Sequence, residues 1–105
     1  MTVKYTFFVG LNDKDAHVQL INTLDASRII ERVFVAHDCD GATISGARGI
    51  YRHEDGTVVC EETVMVQVFE FGDVIDVKGI CEDLKEMLNQ ESIAVEQTET
   101  NSALY

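Results

Sequence analysis

Two stretches of the chain carry residue types that could do chemistry. His37, Asp38, Cys39 and Asp40 follow one another and offer an imidazole, a thiol and two carboxylates, a donor set suited to zinc or another borderline metal. Consecutive residues of a turn rarely all point inward, so a solvated turn is the simpler expectation, with Cys39 its least settled member. The second stretch runs from Arg48 to Thr63. Glu61 and Glu62 are adjacent on a predicted strand, so their side chains point to opposite faces and cannot act as acid and base on one substrate. Glu62 alternates in phase with Val58, Cys60, Val64 and Val66, which makes it the inward member. A carboxylate there needs hydrogen-bond donors or its pKa rises, and Arg48 and Arg52 across the hairpin are the candidate partners. The expectation is a structural ion pair near the sheet edge or, alternatively, the polar heart of an intersubunit pocket, with Tyr51 and Thr63 lining the same region. His53, beside Glu54 and Asp55, reads as an exposed turn residue, and His17 could face either way. The chain contains no G-x-S-x-G, no phosphate-cradling glycine loop and no H-E-x-x-H, so no catalytic residue and no cofactor is assigned from motifs.

Composition bounds what these residues can serve. The 105 residues suffice for one hydrophobic core and not for two. No apolar run approaches the roughly 20 residues of a membrane span. The first ten residues alternate rather than form a secretory leader, so the expected location is the cytoplasm. Three cysteines without a C-x-x-C pair argue against a disulfide framework or a zinc ribbon, and buried thiols are expected. The net charge of −11 opposes binding to phosphate backbones and anionic membranes.

The elements that must position these residues follow from periodicity. Val3, Tyr5, Phe7 and Val9 alternate with Lys4 and Thr6 as in a strand buried on one face. Asn12 to Asp15 supplies capping chemistry, and a helix is predicted to start near Lys14 or Asp15. Leu20, Ile21 and Leu24 form one apolar stripe and Ile29, Ile30, Val33 and Phe34 another on a shifted phase, which predicts a kink or a second short helix at Asp25. Asp55-Gly56 between two strand-like runs, Ala42–Tyr51 and Thr57–Phe71, predicts a hairpin. Asp73 is the predicted cap of a second helix with Val77, Cys81, Leu84 and Leu88 on its stripe, and Ser92–Glu99 the last strand. Residues 1–99 are then a single domain and 100–105 a flexible tail.

Strand, helix, hairpin, helix, strand is the split βαβ order. The predicted fold class is α+β, ferredoxin-like βαββαβ, a four-stranded antiparallel sheet with two helices on one face. The other face would carry Lys4, Thr6, Phe8, Thr43, Ser45, Ala47, Gly49, Thr63, Met65 and Gln67, with Val59, Phe69 and Phe71 at its margin. A face so small-sided and mixed is expected to meet another subunit or a ligand.

Gly41, Thr43, Gly49, Tyr51, Glu61, Thr63, Gln90, Glu91, Ser92 and Ile93 together resemble the pattern of the nitrogen-regulatory P-II-like superfamily, and more narrowly a group of bacterial domains with the layout G-x-T…G-x-[WY]…E-x-[ST]…Q-E-[AS]-[IV]. The match spans about half the chain. The resemblance implies the ferredoxin-like fold and, as in P-II and CutA proteins, a trimer with ligand clefts between subunits. It does not carry nucleotide binding over, because the hairpin turn is short and the chain holds only 8 Lys plus Arg. The leading expectation is a non-enzymatic homo-oligomeric binding or regulatory module with a small-molecule or protein partner. A small dimeric α+β-barrel enzyme, with a pocket between sheet and helices, and a metal-binding protein using the 37–40 loop are the alternatives.

Overall fold

In a computed structural model of the protein, which describes every residue except His53, the chain runs β1 (Thr2–Gly10), α1 (Thr23–Ala36), β2 (Thr43–Arg52), β3 (Val58–Glu70), α2 (Val77–Met87) and β4 (Ala94–Thr100). The strands form one antiparallel sheet in the order β2-β3-β1-β4, the ferredoxin-like α+β arrangement. The reading of His53 lies outside the described residues.

Alternation decides which face is covered. Phe7 and Val9 of β1 and Val64, Val66 and Val68 of β3 are buried against Ala26, Ile30, Val33 and Phe34 of α1 and Ile80 and Leu84 of α2. Phe7 lies across from Val66 and Val95 in the ladders and packs edge-on against Phe34, ring centroids 4.9 Å apart. On the opposite face the register aligns Thr43, Gln67, Thr6 and Glu96 in one row and Ser45, Met65, Phe8 and Ala94 in the next. No helix among the described residues is long and apolar enough to cross a membrane.

Three expectations need correction. Helix α1 starts at Thr23, capped by Asn22, whose side chain accepts from the Asp25 N–H at 2.9 Å. Residues 12 to 22 form a loop closed by a bridge between Asn12 and Gln19, so the phase slip marks the helix entrance and Asp25 sits unkinked in its first turn. Helix α2 is capped by Asp76 rather than Asp73, through the Gly79 N–H at 3.1 Å, and Ile80 leads its buried stripe. Glu62 shares the parity of the core valines but is exposed, because the hairpin extends past the helices and nothing covers that face of it.

The His37 ring joins the two helices. Its Nε2 lies 2.6 Å from Asp83 Oδ2 and its Nδ1 3.2 Å from Asp76 Oδ2. Only the imidazolium can donate from both nitrogens, and the hydrogen bond to Asp83, ahead of the other contributions, raises the His37 pKa above its usual value. A Cβ at Gly79 would collide with Asp76 Oδ2 and come within 2.9 Å of His37 Cε1, which accounts for a glycine in the first turn of α2. The raised pKa means that this stabilisation is complete below the unfolded value of about 6.5 and is lost as pH rises through the folded one. Urea unfolding should therefore show wild-type stability falling by about 1 kcal/mol across that interval, the carboxylates being half-exposed, while His37→Gln follows a flatter profile. Parallel profiles would remove the clamp.

Candidate functional site

A cleft of about 450 Å³ opens on the face of the sheet away from the helices. Glu61, Thr63 and Tyr51 project into it from the hairpin, and Phe8 and Gly10 from β1. The loop after β1 supplies Asn12, Asp13, Lys14 and His17, and the segment after α2 supplies Gln90, Glu91 and Ser92.

Glu61 is held from two sides. Gly10 faces it, and a Cβ there would come within 2.5 Å of Glu61 Oε1, so the carboxylate occupies space that only glycine leaves. The Asn12 N–H donates to Glu61 Oε2 at 3.0 Å. This fixes an anion at the cleft floor by a backbone donor and a missing side chain.

The loop wall is held from α2. Asn89, at φ +50°, accepts from the Lys14 N–H at 3.0 Å and donates through its amide to Asp13 at 2.8 Å and Asp15 at 2.9 Å. Gln90 donates to the Asn12 carbonyl at 2.8 Å and to that of Leu88 at 3.2 Å, so its amide supports the wall. Asp13 also accepts from the Ala16 and Asp15 N–H groups, and these bonds, that from Ala16 foremost, hold its carboxyl below the usual carboxylate range.

Of the residues singled out in the sequence, Tyr51, Glu61 and Thr63 come together in this cleft. Arg48 and Glu62 do not join them. They form an ion pair 3.8 Å apart on the other side of the hairpin, with side chains 72% and 46% exposed. Arg52 donates to the Gly56 carbonyl at 3.0 Å instead of to Glu62.

The 37–40 loop diverges. His37 turns to α2, Cys39 packs partly buried against the core, and Asp38 and Asp40 border a second cleft of about 440 Å³ near Phe69 and Phe71. Burial, and then the charges of Asp40 and Asp38, push the Cys39 thiol up, away from the thiolate that binds metal. Among the described residues no three His, Cys, Asp or Glu side chains are placed to hold a metal ion. Of the three free thiols, Cys39 and Cys81 are partly buried, whereas Cys60 is exposed on the projecting hairpin, contrary to the expected burial.

From the sequence, Gly10 was not singled out, Asn12 and Lys14 were read only as capping and helix-start residues, and the 90–92 segment was given no place in a site. Its one signal was that Gln90, Glu91 and Ser92 belong to the same pattern as Tyr51, Glu61 and Thr63. Only the sheet order brings the two halves of that pattern into one cleft.

Comparison of the fold with solved structures gives three informative likenesses. A phage SAM lyase in complex with S-methyl-5'-thioadenosine superposes with a TM-score of 0.72 at 23% identity, covering 93% of this chain and 81% of that one. The same enzyme type in its apo state gives 0.71 at 21% identity, covering 91% and 78%. The periplasmic divalent cation tolerance protein CutA from Archaeoglobus fulgidus gives 0.61 at 12% identity, covering 99% and 88%. The chain shares the fold of these proteins, a ferredoxin-like α+β domain. The resemblance to the P-II/CutA group read in the sequence thus holds at the level of fold. No protein-family model matches the sequence, and no curated protein does. In this chain the space between sheet and helices is filled by Phe7, Ile30, Ile80 and Leu84, all fully buried, so the 450 Å³ cleft lies on the opposite side from the pocket expected of an α+β-barrel enzyme.

Proposed function

We propose that the domain is a homo-oligomer that binds S-adenosylmethionine in the cleft on the open sheet face and cleaves it to S-methyl-5'-thioadenosine. The observation that carries this reading is the Glu61 carboxylate, fixed by the Asn12 N–H in the space left by Gly10, at the floor of a nucleoside-sized cleft in a fold shared with a SAM lyase.

S-methyl-5'-thioadenosine retains the adenosine, sulfur and methyl group of S-adenosylmethionine. A lyase that leaves it behind breaks the bond from sulfur to the amino-acid fragment, and the electron pair goes to sulfur, which becomes a neutral thioether. The fragment then closes on its own carboxylate or gives up a proton. The substrate is a sulfonium cation, and a chain of net charge −11 with Glu61 at the cleft floor attracts it. The Tyr51 ring beside Glu61 adds an aromatic surface suited to a cation or to adenine.

Exposed aromatic rings support the oligomeric part of this reading. Phe8, Phe69 and Phe71 are 36%, 40% and 43% exposed around the open face, which suits burial against further copies in a trimer. The open side of the cleft also suits a binding module without turnover, in the same cytoplasmic setting. Incubation with S-adenosylmethionine, followed by chromatography, should show S-methyl-5'-thioadenosine appearing, from a species several times 11.7 kDa by light scattering. Saturable binding without product would favour the non-enzymatic module. A monomer that neither binds nor converts the compound would overturn both.

A further inference from the structure

We propose, resting on the S-adenosylmethionine reading above, that Lys14 is the specificity-determining residue of the cleft and selects ligands whose amino-acid end bears a carboxylate. The cleft is lined by the carboxylates of Asp13, Glu61 and Glu91, and its one permanently cationic side chain among the described residues is Lys14. The field that draws in a sulfonium and an ammonium repels the carboxylate of the same molecule, so that group needs a local positive charge.

Lys14 is placed to supply it by a turn with little freedom. Its N–H donates to the Asn89 carbonyl at 3.0 Å, the preceding Asp13 N–H to the Val18 carbonyl at 2.9 Å, and the His17 N–H to the Asp13 carbonyl at 2.9 Å, with His17 at φ +61°. The Asp13 carboxylate is occupied by the Asp15 and Ala16 N–H groups and the Asn89 amide. The turn thus presents the lysine from the loop wall, while Glu61 rises from the strands of the floor. A ligand positive at its centre and negative at one end matches that order of charges, with the sulfonium over Glu61 and the carboxylate toward the wall.

Two thioethers that do not react, S-adenosylhomocysteine and its decarboxylated form S-adenosyl-3-thiopropylamine, differ only by the carboxylate and isolate this contact by calorimetry. The wild-type protein is expected to prefer the carboxylate-bearing compound by about tenfold, the scale of one charge-assisted hydrogen bond in a solvated cleft. Lys14→Met should bring the ratio to about one, and Lys14→Arg should keep most of the preference. Affinity for S-methyl-5'-thioadenosine, which lacks the amino-acid end, should be unchanged in both variants and shows that the cleft is intact. If S-methyl-5'-thioadenosine binds and the preference survives in Lys14→Met, this inference fails alone. If the wild-type protein binds none of the three compounds, the S-adenosylmethionine reading fails and takes the inference with it.

Discussion

Glu61→Gln is expected to lower kcat/KM for S-adenosylmethionine by about 100-fold, the scale of removing one preorganised charged group from a reaction centre. The substitution keeps shape and can still accept from the Asn12 N–H, so the loss isolates the charge rather than the fold. How it divides is informative, because the sulfonium charge fades as the carbon–sulfur bond breaks. A carboxylate that serves only as counter-charge favours the ground state at least as much as the transition state, and its removal raises KM. A carboxylate that also takes a proton from the substrate lowers kcat when removed. Gly10→Ala provides a second approach to the same atom, since its Cβ would fall within 2.5 Å of Glu61 Oε1 and push the carboxylate off the Asn12 N–H without changing any charge. Because the Glu61 side chain is flexible at its end, the domain should remain folded while turnover falls by about tenfold or more, as geometric misplacement of a reacting group costs. Both variants within about threefold of wild type, by initial rates of S-methyl-5'-thioadenosine release, would remove Glu61 from the site.

Phe7→Ala should destabilise the domain by about 3–5 kcal/mol, a large share of the roughly 5–15 kcal/mol available to a domain of this size. Phe7 has no exposed surface, lies in the central strand β1 and meets the Phe34 ring of α1 edge-on, so its removal leaves a cavity that sheet and helix cannot both close. Val58→Ala is the instructive comparison. Val58 shares the parity of the β3 core valines but is 52% exposed on the projecting hairpin, and its truncation should cost less than about 1 kcal/mol. Denaturant unfolding of the two variants decides the matter. Equal losses would mean that the helices shield the sheet differently from the arrangement described.

These cases show what periodicity can carry. Alternation in β1 and β3, the Asp55-Gly56 turn and the apolar spacing of the second helix are local properties, and they led to the element order and to the covered face. The start of α1 was misplaced because Asn12 to Asp15 has capping chemistry whether it opens a helix or closes a turn. Here Asp13 caps the turn, with the Asp15 and Ala16 N–H groups as its donors, and Asn22 caps the helix. Asp73 and Asp76 are equally good caps by type, and the choice fell to Asp76, which reaches the Gly79 N–H and the His37 ring together.

What the chain determines by itself is the order of its elements and the face each strand offers, since a two-residue or 3.6-residue repeat is written in consecutive side chains. That Glu61 and Thr63 share one face was legible in their two-residue spacing, whereas Tyr51 was expected beside Glu62 and Arg48. Tertiary structure alone decided that this face meets Gly10, Lys14 and Ser92 to form a cleft, and that Glu62 and Arg48 are left in solvent. The physical reason is distance along the chain: Asn12 and Glu61 lie 49 residues apart, and only pairing of β1 with β3 brings a backbone donor to that carboxylate.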